Sequence, residues 1–210
     1  MFPPLYPILD ISADARAILP LAETLAGAGA SLLQIRAKRA PARAVFELAR
    51  DLCAQLGPRG VRLIVNDRPD VAVLAGAAGV HVGQEDLPVE EARKICGSDL
   101  WVGVSTHNIE QFRRAEATSA DYIAVGPVFP TDSKENPDPV VGLDLLRWAR
   151  ANTKKPLVAI GGITVESAEH VFLAGADAVA VIRDLTAAAD PAARAREYLK
   201  IAARVRASRS

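Results

Sequence analysis

Cysteine, aromatic residues and excess charge of either sign are all scarce in this chain of 210 residues. The two cysteines, Cys53 and Cys96, lie in helical patterns and are not spaced as a metal knuckle, so reduced packing thiols are expected. Lysine plus arginine and aspartate plus glutamate number 25 each, and this balance argues against a nucleic-acid or anionic-membrane partner. Any anion must therefore be bound by local groups.

Long apolar runs are also missing. The longest, residues 71–80, is too short to cross a bilayer, and the first ten residues contain prolines and an acid where a signal peptide needs an apolar run. A glycine-rich GxGxxG turn, which an open dinucleotide-binding sheet would carry after its first strand, is absent too. With 50% hydrophobic residues to build a core, the chain is expected to be globular and cytoplasmic.

One pattern does recur along the chain: an apolar strand, a polar loop, a helix and a small-residue turn. Strands are predicted over residues 5–9, 32–35, 63–65, 80–82, 101–104, 122–125, 157–160 and 178–182. The predicted helices begin near Pro20, Arg43, Pro69, Val89, Ile109, Leu143, Val165 and Pro191. Turns such as Ala75-Gly76-Ala77 place glycine just past a helix, where a left-handed residue ends it. Eight strand–helix units without a change of composition predict one α/β domain over residues 1–210, a (β/α)8 or TIM barrel.

Barrel enzymes carry their chemistry at the carboxyl ends of their strands. Asn66-Asp67 follows the third strand, and Asp86 lies just beyond the fourth. Because successive parallel strands point the same way, both carboxylates should project from one face of the sheet, a pair that favours a hard cation such as Mg²⁺. Taken alone, Asp67 is better explained as a helix cap, since Asp is favoured there and Pro69 follows it. The cap does not explain Asp86.

The second strand ends in a group of residues that suits phosphate. Alternation aims Gln34, Arg36 and Lys38 to one side, which brings together an amide, a guanidinium and an ammonium. An arginine fork beside a lysine suits a multiply charged phosphate. A solvated basic loop that continues through Arg39 explains the same string equally well. The residues alone leave both interpretations open.

A second phosphate site is indicated at the last two strands. Gly161-Gly162 after strand seven, with the backbone at Ile182-Arg183 after strand eight, match the phosphate cradle common in barrel enzymes. The segment 126–142 after strand six is much longer than most such loops, which predicts a lid or binding loop. His107 after strand five could serve as a base, although a histidine just before a helix is more often structural.

These segments together resemble thiamine-phosphate synthase. The matching motifs are QIRAK at 34–38, ND at 66–67, HVGQED at 81–86, GVSTH at 103–107, GPVFPTDSK at 126–134 and IGGI at 160–163. They occur in the family's order and cover nearly the whole chain. The resemblance implies a transferase that joins hydroxymethylpyrimidine diphosphate to hydroxyethylthiazole phosphate and releases pyrophosphate, with Mg²⁺ as cofactor.

The resemblance also implies a role for each matching residue. Asp67 and Asp86 would hold the magnesium. The pyrimidine diphosphate would be bound by Gln34, Arg36, Lys38, Asn66, Ser105 and Lys134, of which Arg36, Lys38, Ser105 and Lys134 would be catalytic. The thiazole phosphate would be bound by Thr131, Ser133, Gly161, Gly162 and the backbone at Ile182-Arg183. Ser133 stands where the family usually has threonine, and Arg183 replaces a usual serine.

The implied reaction is a dissociative substitution. Loss of pyrophosphate leaves a resonance-stabilised pyrimidinylmethyl cation, so the site needs cations and a water-excluding lid rather than a strong base. Two alternatives stay open: a related thiazole tautomerase, in which His107 would transfer a proton, and a non-catalytic phosphate-binding regulatory barrel. The complete QxRxK motif, the Asp67/Asp86 pair and Lys134 favour the synthase. Small-molecule substrates are expected, and the oligomeric state, a homo-oligomer included, stays open.

Overall fold

The strand–helix repeat of the sequence closes on itself. The structure, a computed structural model, describes residues 1–11, 18–131 and 138–209. Within these residues, eight parallel strands pair in chain order, and β1 pairs with β8 to close a barrel. The strands are β1 (Leu5–Asp10), β2 (Leu32–Arg36), β3 (Arg62–Asn66), β4 (Gly79–Val82), β5 (Trp101–Thr106), β6 (Tyr122–Val125), β7 (Leu157–Ala159) and β8 (Ala178–Val181). The predicted TIM barrel is confirmed.

Helices separate the strands and form the outer layer. They are α1 (Ile18–Gly27), α2 (Ala42–Leu56), α3 (Pro69–Leu74), α4 (Val89–Cys96), α5 (Ile109–Glu116), α6 (Gly142–Ala151), α7 (Val165–Leu173), α8 (Arg183–Thr186) and α9 (Pro191–Ala207). Every predicted strand is present, with each end within two residues of its predicted position. The sequence did not indicate α8, because a single turn of four residues is too short to show helical periodicity.

The larger part of the core lies between the barrel and its helices. Outward-facing strand residues such as Val65, Ile123 and Val179 are fully buried there, against helix residues such as Ala49 and Leu146. Small residues on these faces let helices approach the sheet closely. In the part of the chain that the structure describes, no helix has the length and apolar character needed to cross a membrane.

The inside of the barrel holds a second, smaller core built around two tyrosines. Tyr6 and Tyr122 are fully buried, and a Cβ at Gly103 would lie 2.0 Å from Cζ of Tyr122. Glycine at position 103 therefore makes room for the Tyr122 ring. Phe2 stacks on Trp101 with ring centroids 5.3 Å apart at the amino-terminal end of the strands. The aromatic packing fills this end of the barrel and leaves the carboxyl end for a cavity.

Candidate active site

A cavity of about 430 Å³ opens at the carboxyl ends of the strands. Nine residues of the predicted site line it: Gln34, Arg36, Asn66, Ser105, Thr131, Gly161, Gly162, Ile182 and Arg183. Apolar side chains, among them Ile8, Val158 and Ile160, complete the wall. The volume lies within the range of small-molecule sites, which combine apolar walls with a few polar groups. Residues that are distant in the sequence thus converge on one space.

Lys38, Asp67 and Asp86 adjoin this cavity and do not line it. Nζ of Lys38 lies 3.4 Å from Oδ2 of Asp67, and the Asp67 carboxyl is hydrogen-bonded to that of Asp86. Oδ2 of Asp86 accepts a 2.7 Å hydrogen bond from the backbone N–H of Gly83. The predicted pair of carboxylates is therefore brought together. The other two predicted residues, Ser133 and Lys134, lie outside the described residues.

The interpretation of Asp67 as a helix cap is wrong. The residue that caps α3 is Arg68, and no side chain makes a capping hydrogen bond there. Asp67 adopts a left-handed backbone with φ of +64°, and its N–H donates to the carbonyl of His81 at 2.8 Å. Aspartate tolerates this conformation better than most residues with a side chain. The turn directs the Asp67 carboxyl toward Asp86 and Lys38 instead of toward the helix.

The electrostatics of this carboxyl pair fit a divalent cation. Burial, together with the neighbouring Asp86 carboxyl, raises the pKa of Asp67 to about 6, although Lys38 acts in the opposite direction. Two carboxylates that resist joint ionisation gain from a hard cation between them. Among the described residues, no group of three or more His, Cys, Asp or Glu could hold a metal ion. Mg²⁺ does not need such a group, because it commonly takes one or two carboxylates and completes its shell with water and substrate phosphate.

Arg36 is held by an acid, Asp10, that was not predicted as a site residue from the sequence. Its guanidinium pairs with the carboxylate of Asp10, which lies directly opposite on β1. The side chains are only 17% and 23% exposed, so the arginine is fixed in the cavity wall. Lys38 and Arg39 are exposed. The solvated-loop interpretation therefore describes the end of this segment and not Arg36.

A chain of hydrogen bonds crosses the inside of the barrel below the cavity. Nε2 of Gln34 lies 2.8 Å from the Tyr6 hydroxyl, which lies 2.9 Å from that of Tyr122. The ring of His81 joins the Tyr122 hydroxyl through Nδ1 at 3.0 Å and Ser105 Oγ through Nε2 at 2.9 Å. No role was predicted from the sequence for Tyr6, Tyr122 or His81. The sequence feature that could have identified them is a polar group at an inward-facing position of an otherwise apolar strand.

The Gly161-Gly162 pair is required by close packing. The two residues have φ of +89° and +64°, a region that glycine enters readily. A Cβ at Gly161 would lie 2.4 Å from Cβ of Pro127, and one at Gly162 would lie 2.4 Å from the carbonyl oxygen of Pro130. The loop after β6 therefore rests directly on this turn, and both glycines line the cavity.

On the other side of the cradle, α8 begins at Arg183, which is exposed and lines the cavity. The next residue, Asp184, accepts hydrogen bonds from the Tyr198 hydroxyl at 2.7 Å and from the Val165 N–H at 3.2 Å. It also lies 3.5 Å from the Arg194 guanidinium. Asp184 thus ties this turn to α7 and α9.

His107 is held in a structural position. Its Nδ1 contacts the carbonyl oxygen of Gly126 at 2.5 Å, and its Nε2 lies 3.4 Å from the Asp138 carboxylate. The side chain is 7% exposed and is not among the described residues that line the cavity. Both ring nitrogens are thus engaged with the loop after β6. This arrangement favours the structural interpretation of His107 over a role in proton transfer.

Comparison with known proteins agrees with this geometry. The family model described as thiamine monophosphate synthase matches residues 5–185. A thiamine-phosphate synthase of Koribacter versatilis (strain Ellin345) is 50% identical over 204 residues, which cover 95% of each chain. Another, from Moorella thermoacetica, is 43% identical over 190 residues and covers 89% of this chain and 90% of the relative. A solved thiamine phosphate pyrophosphorylase from Pyrococcus furiosus aligns with a TM-score of 0.84 at 36% identity, covering 96% of both chains. The motifs, the fold and these relatives together show that the chain belongs to the thiamine-phosphate synthase family, a family of transferases.

Proposed function

We propose that the cavity at the carboxyl ends of the strands is where this family member joins hydroxymethylpyrimidine diphosphate to hydroxyethylthiazole phosphate. The observation that carries the proposal is the convergence of predicted cationic and hydroxyl residues on one apolar-walled space beside the Asp67–Asp86 pair. Charge lies at the rim and hydrogen-bonding groups lie deeper, as a substrate with a diphosphate and an aromatic ring requires. The free thiols of Cys53 and Cys96 are in keeping with a reducing cytoplasm, where we expect the enzyme to work.

The pyrimidine diphosphate is assigned to the side of the cavity formed by β2, β3 and β5. Arg36 and Lys38 supply positive charge to the diphosphate, and Asn66 adds an amide. Lys134 is assigned to the same diphosphate on the resemblance alone. Gln34 and Ser105, which are 2% and 9% exposed, lie deeper and suit the ring. The exposure of these side chains therefore suits a substrate whose ring lies deep in the cavity and whose diphosphate lies at the rim.

Asp67 and Asp86 are the residues that would hold Mg²⁺. Their carboxylates fit a hard cation, because the Asp86 carboxyl opposes the ionisation of Asp67 when no cation is bound. When bound, Mg²⁺ would neutralise charge on the departing pyrophosphate. Lys38, at 3.4 Å from Asp67, would add positive charge beside the metal site. The chain's own cations therefore add to the neutralisation.

The thiazole phosphate is assigned to the opposite side of the cavity. Gly161, Gly162, Ile182 and Arg183 line the cavity, and their backbone N–H groups would bind the phosphate. Thr131 lines the same region and offers a hydroxyl. Ser133 is included because it keeps the hydroxyl of the usual threonine. No metal is assigned to this side of the cavity, because these hydrogen-bond donors suit a single phosphate monoester.

The two subsites support a reaction in which bond breaking precedes bond making. The bond from the methylene carbon to the diphosphate oxygen breaks, and its electron pair leaves with pyrophosphate. The lone pair of the thiazole nitrogen then forms the new carbon–nitrogen bond. The apolar wall, including Ile8, Val158 and Ile160, keeps water from the cation. No strong base is required, which agrees with the structural position of His107.

The matched pair Arg36→Ala and Arg39→Ala tests the assignment of the diphosphate. Removing a charge-assisted contact to the leaving group should raise the barrier by roughly 2–4 kcal/mol, or about 30- to 1,000-fold in kcat. Arg39 is exposed and does not line the cavity, so its variant should turn over at nearly the rate of the parent. The measurement is the rate at which thiamine phosphate and pyrophosphate form, in equal amounts, from both substrates in the presence of Mg²⁺. Equal rates for the two variants would contradict the assignment.

A further inference from the structure

The hydrogen-bond chain below the cavity runs from Gln34 to Ser105. Which group donates at each link decides whether the Ser105 hydroxyl can donate to a bound molecule. Each of its links joins two groups of which one must donate. The amide nitrogen of Gln34, at 2.8 Å from the Tyr6 hydroxyl, can only donate. Tyr6 therefore accepts from Gln34 and has its own proton left for the next link. This first link favours one direction for the rest of the chain.

The remaining links can be assigned in turn. The distances of 2.9 Å from Tyr6 to Tyr122 and 3.0 Å from Tyr122 to Nδ1 of His81 fit either direction. The Gln34 donor favours the one in which Tyr6 donates to Tyr122 and Tyr122 donates to His81. Burial raises the pKa of both tyrosines, so each phenol keeps the proton that this assignment needs. If Nδ1 of His81 accepts, the ring proton lies on Nε2, which donates to Ser105 Oγ at 2.9 Å. Ser105 thus accepts from below and keeps its own proton for the cavity.

We propose that Tyr6, Tyr122 and His81 are positioning residues that orient the Ser105 hydroxyl as a hydrogen-bond donor toward a ring nitrogen of the pyrimidine. The assignment of the pyrimidine to this subsite rests on the function proposed above. A ring nitrogen is favoured over a phosphate oxygen because Ser105 is only 9% exposed, whereas Lys38, at the charged rim, has a side chain that is 52% exposed. The deep end of the cavity therefore selects a flat ring with an acceptor atom at its edge.

The amide of Gln34 is the element that fixes the direction. A carboxylate at the same place can only accept, so Gln34→Glu would make Tyr6 donate toward residue 34. Tyr122 would then donate to Tyr6, Nδ1–H of His81 would donate to Tyr122, and Nε2 would accept from Ser105. The Ser105 proton would be drawn away from the cavity. The substitution reverses every link while it changes one atom of one side chain.

Nitrogen-15 spectra of histidine in the free protein test the direction without any substrate. The chain has three histidines, and a His81→Gln variant identifies the signal of His81 by its loss. We expect a proton on Nε2 and none on Nδ1 in the parent, and the opposite tautomer in Gln34→Glu. A parent ring protonated at Nδ1, or a tautomer that does not change in Gln34→Glu, would overturn the relay. Because no substrate is present, that outcome would leave the proposed function standing.

Kinetics with Tyr122→Phe test the consequence for the substrate. This variant keeps the ring that stacks on His81, with centroids 5.5 Å apart, and removes only the hydroxyl. We expect kcat/KM for the pyrimidine diphosphate to fall about tenfold, or roughly 1.4 kcal/mol, with the KM for thiazole phosphate unchanged. His170→Gln, at an exposed position of α7, is the control and should behave as the parent.

A substrate analogue separates orientation from general damage. In a deaza analogue, the ring nitrogen that accepts from Ser105 is replaced by C–H. Parent and Tyr122→Phe should use this analogue equally well, because the hydrogen bond at issue is missing in both cases. An equal tenfold loss with the analogue, or a matching loss for thiazole phosphate, would mean that Tyr122 only supports the fold. Either result would overturn the proposal.

Discussion

Asp67→Asn should stabilise the metal-free protein while it weakens metal binding. The carboxyl of Asp67 is buried beside that of Asp86, and its pKa is raised to about 6 from an ordinary value of 3.8. The folded state therefore binds this proton more tightly than the unfolded chain does. Asparagine keeps the shape and also tolerates the left-handed backbone at φ of +64°. The substitution removes the repulsion and leaves the turn in place.

The sign and size of the effect follow from the pKa of Asp67. Each pKa unit corresponds to about 1.4 kcal/mol, so ionising Asp67 costs the folded protein on the order of 2–3 kcal/mol. A raised acid pKa lowers stability as pH rises from about 4 to about 6, and the deficit then stays constant. Asp67→Asn should match the parent below about pH 4 and exceed its free energy of unfolding by about 1–3 kcal/mol at about pH 8.

Urea unfolding in a chelator, at both pH values, measures this difference directly. Asp70→Asn is the control, because Arg68 holds the pKa of Asp70 below its ordinary value and its removal should not stabilise the protein. Asp67→Ala loses the same charge but places alanine in the left-handed region, which should cost about 1–2 kcal/mol relative to Asn. Added Mg²⁺ should stabilise the parent and leave Asp67→Asn unchanged. If Asp67→Asn were less stable than the parent at about pH 8, the Asp67 carboxylate would not destabilise the metal-free fold and the prediction would be wrong.

Three further substitutions probe the remaining parts of the site. Asp86→Asn keeps an acceptor for the Gly83 N–H, so the fold should hold while the Mg²⁺ concentration for half-maximal turnover rises at least tenfold; an unchanged requirement would argue against the metal site. Gly162→Ala should lose ~2 kcal/mol or more in thermal unfolding and weaken thiazole phosphate binding, because its Cβ would meet the Pro130 carbonyl; a parent-like melting temperature would contradict this. Arg183→Ser should change the KM for thiazole phosphate less than about threefold, since exposed charges contribute little, and a tenfold loss would assign the phosphate to the guanidinium.

The barrel was predictable because local sequence marks both ends of each strand. Short β-branched runs such as residues 63–65 and 122–125 are closed by polar residues on one side and small-residue turns on the other. The strand bounds were accordingly close to those observed. The four-residue helix α8 was missed, because it is specified by tertiary contacts: Asp184 bonds to Tyr198 and Val165, which are distant in the chain.

The site was predictable where chemistry follows directly after a strand, and was missed where partners meet across the barrel. The positions of Arg36 and Asp67 can be read from local sequence, but the Asp10 partner of Arg36 depends on strand register. Tyr6 and Tyr122 are 116 residues apart, and no local pattern indicates that their hydroxyls meet. The cap interpretation of Asp67 failed for the same reason, since its true neighbours come from other strands.

Burying a polar chain inside a barrel couples stability to recognition. In the described part of the chain, no buried side-chain nitrogen or oxygen is left without a partner. Each link from Gln34 to Ser105 is thus satisfied, and breaking one would leave buried groups unpaired at about 1–3 kcal/mol each. The need to pair every buried polar group therefore also favours one direction for the protons of this hydrogen-bond chain. Substrate recognition at Ser105 therefore follows from the need to satisfy the interior, and a single substitution at Tyr122 should affect both.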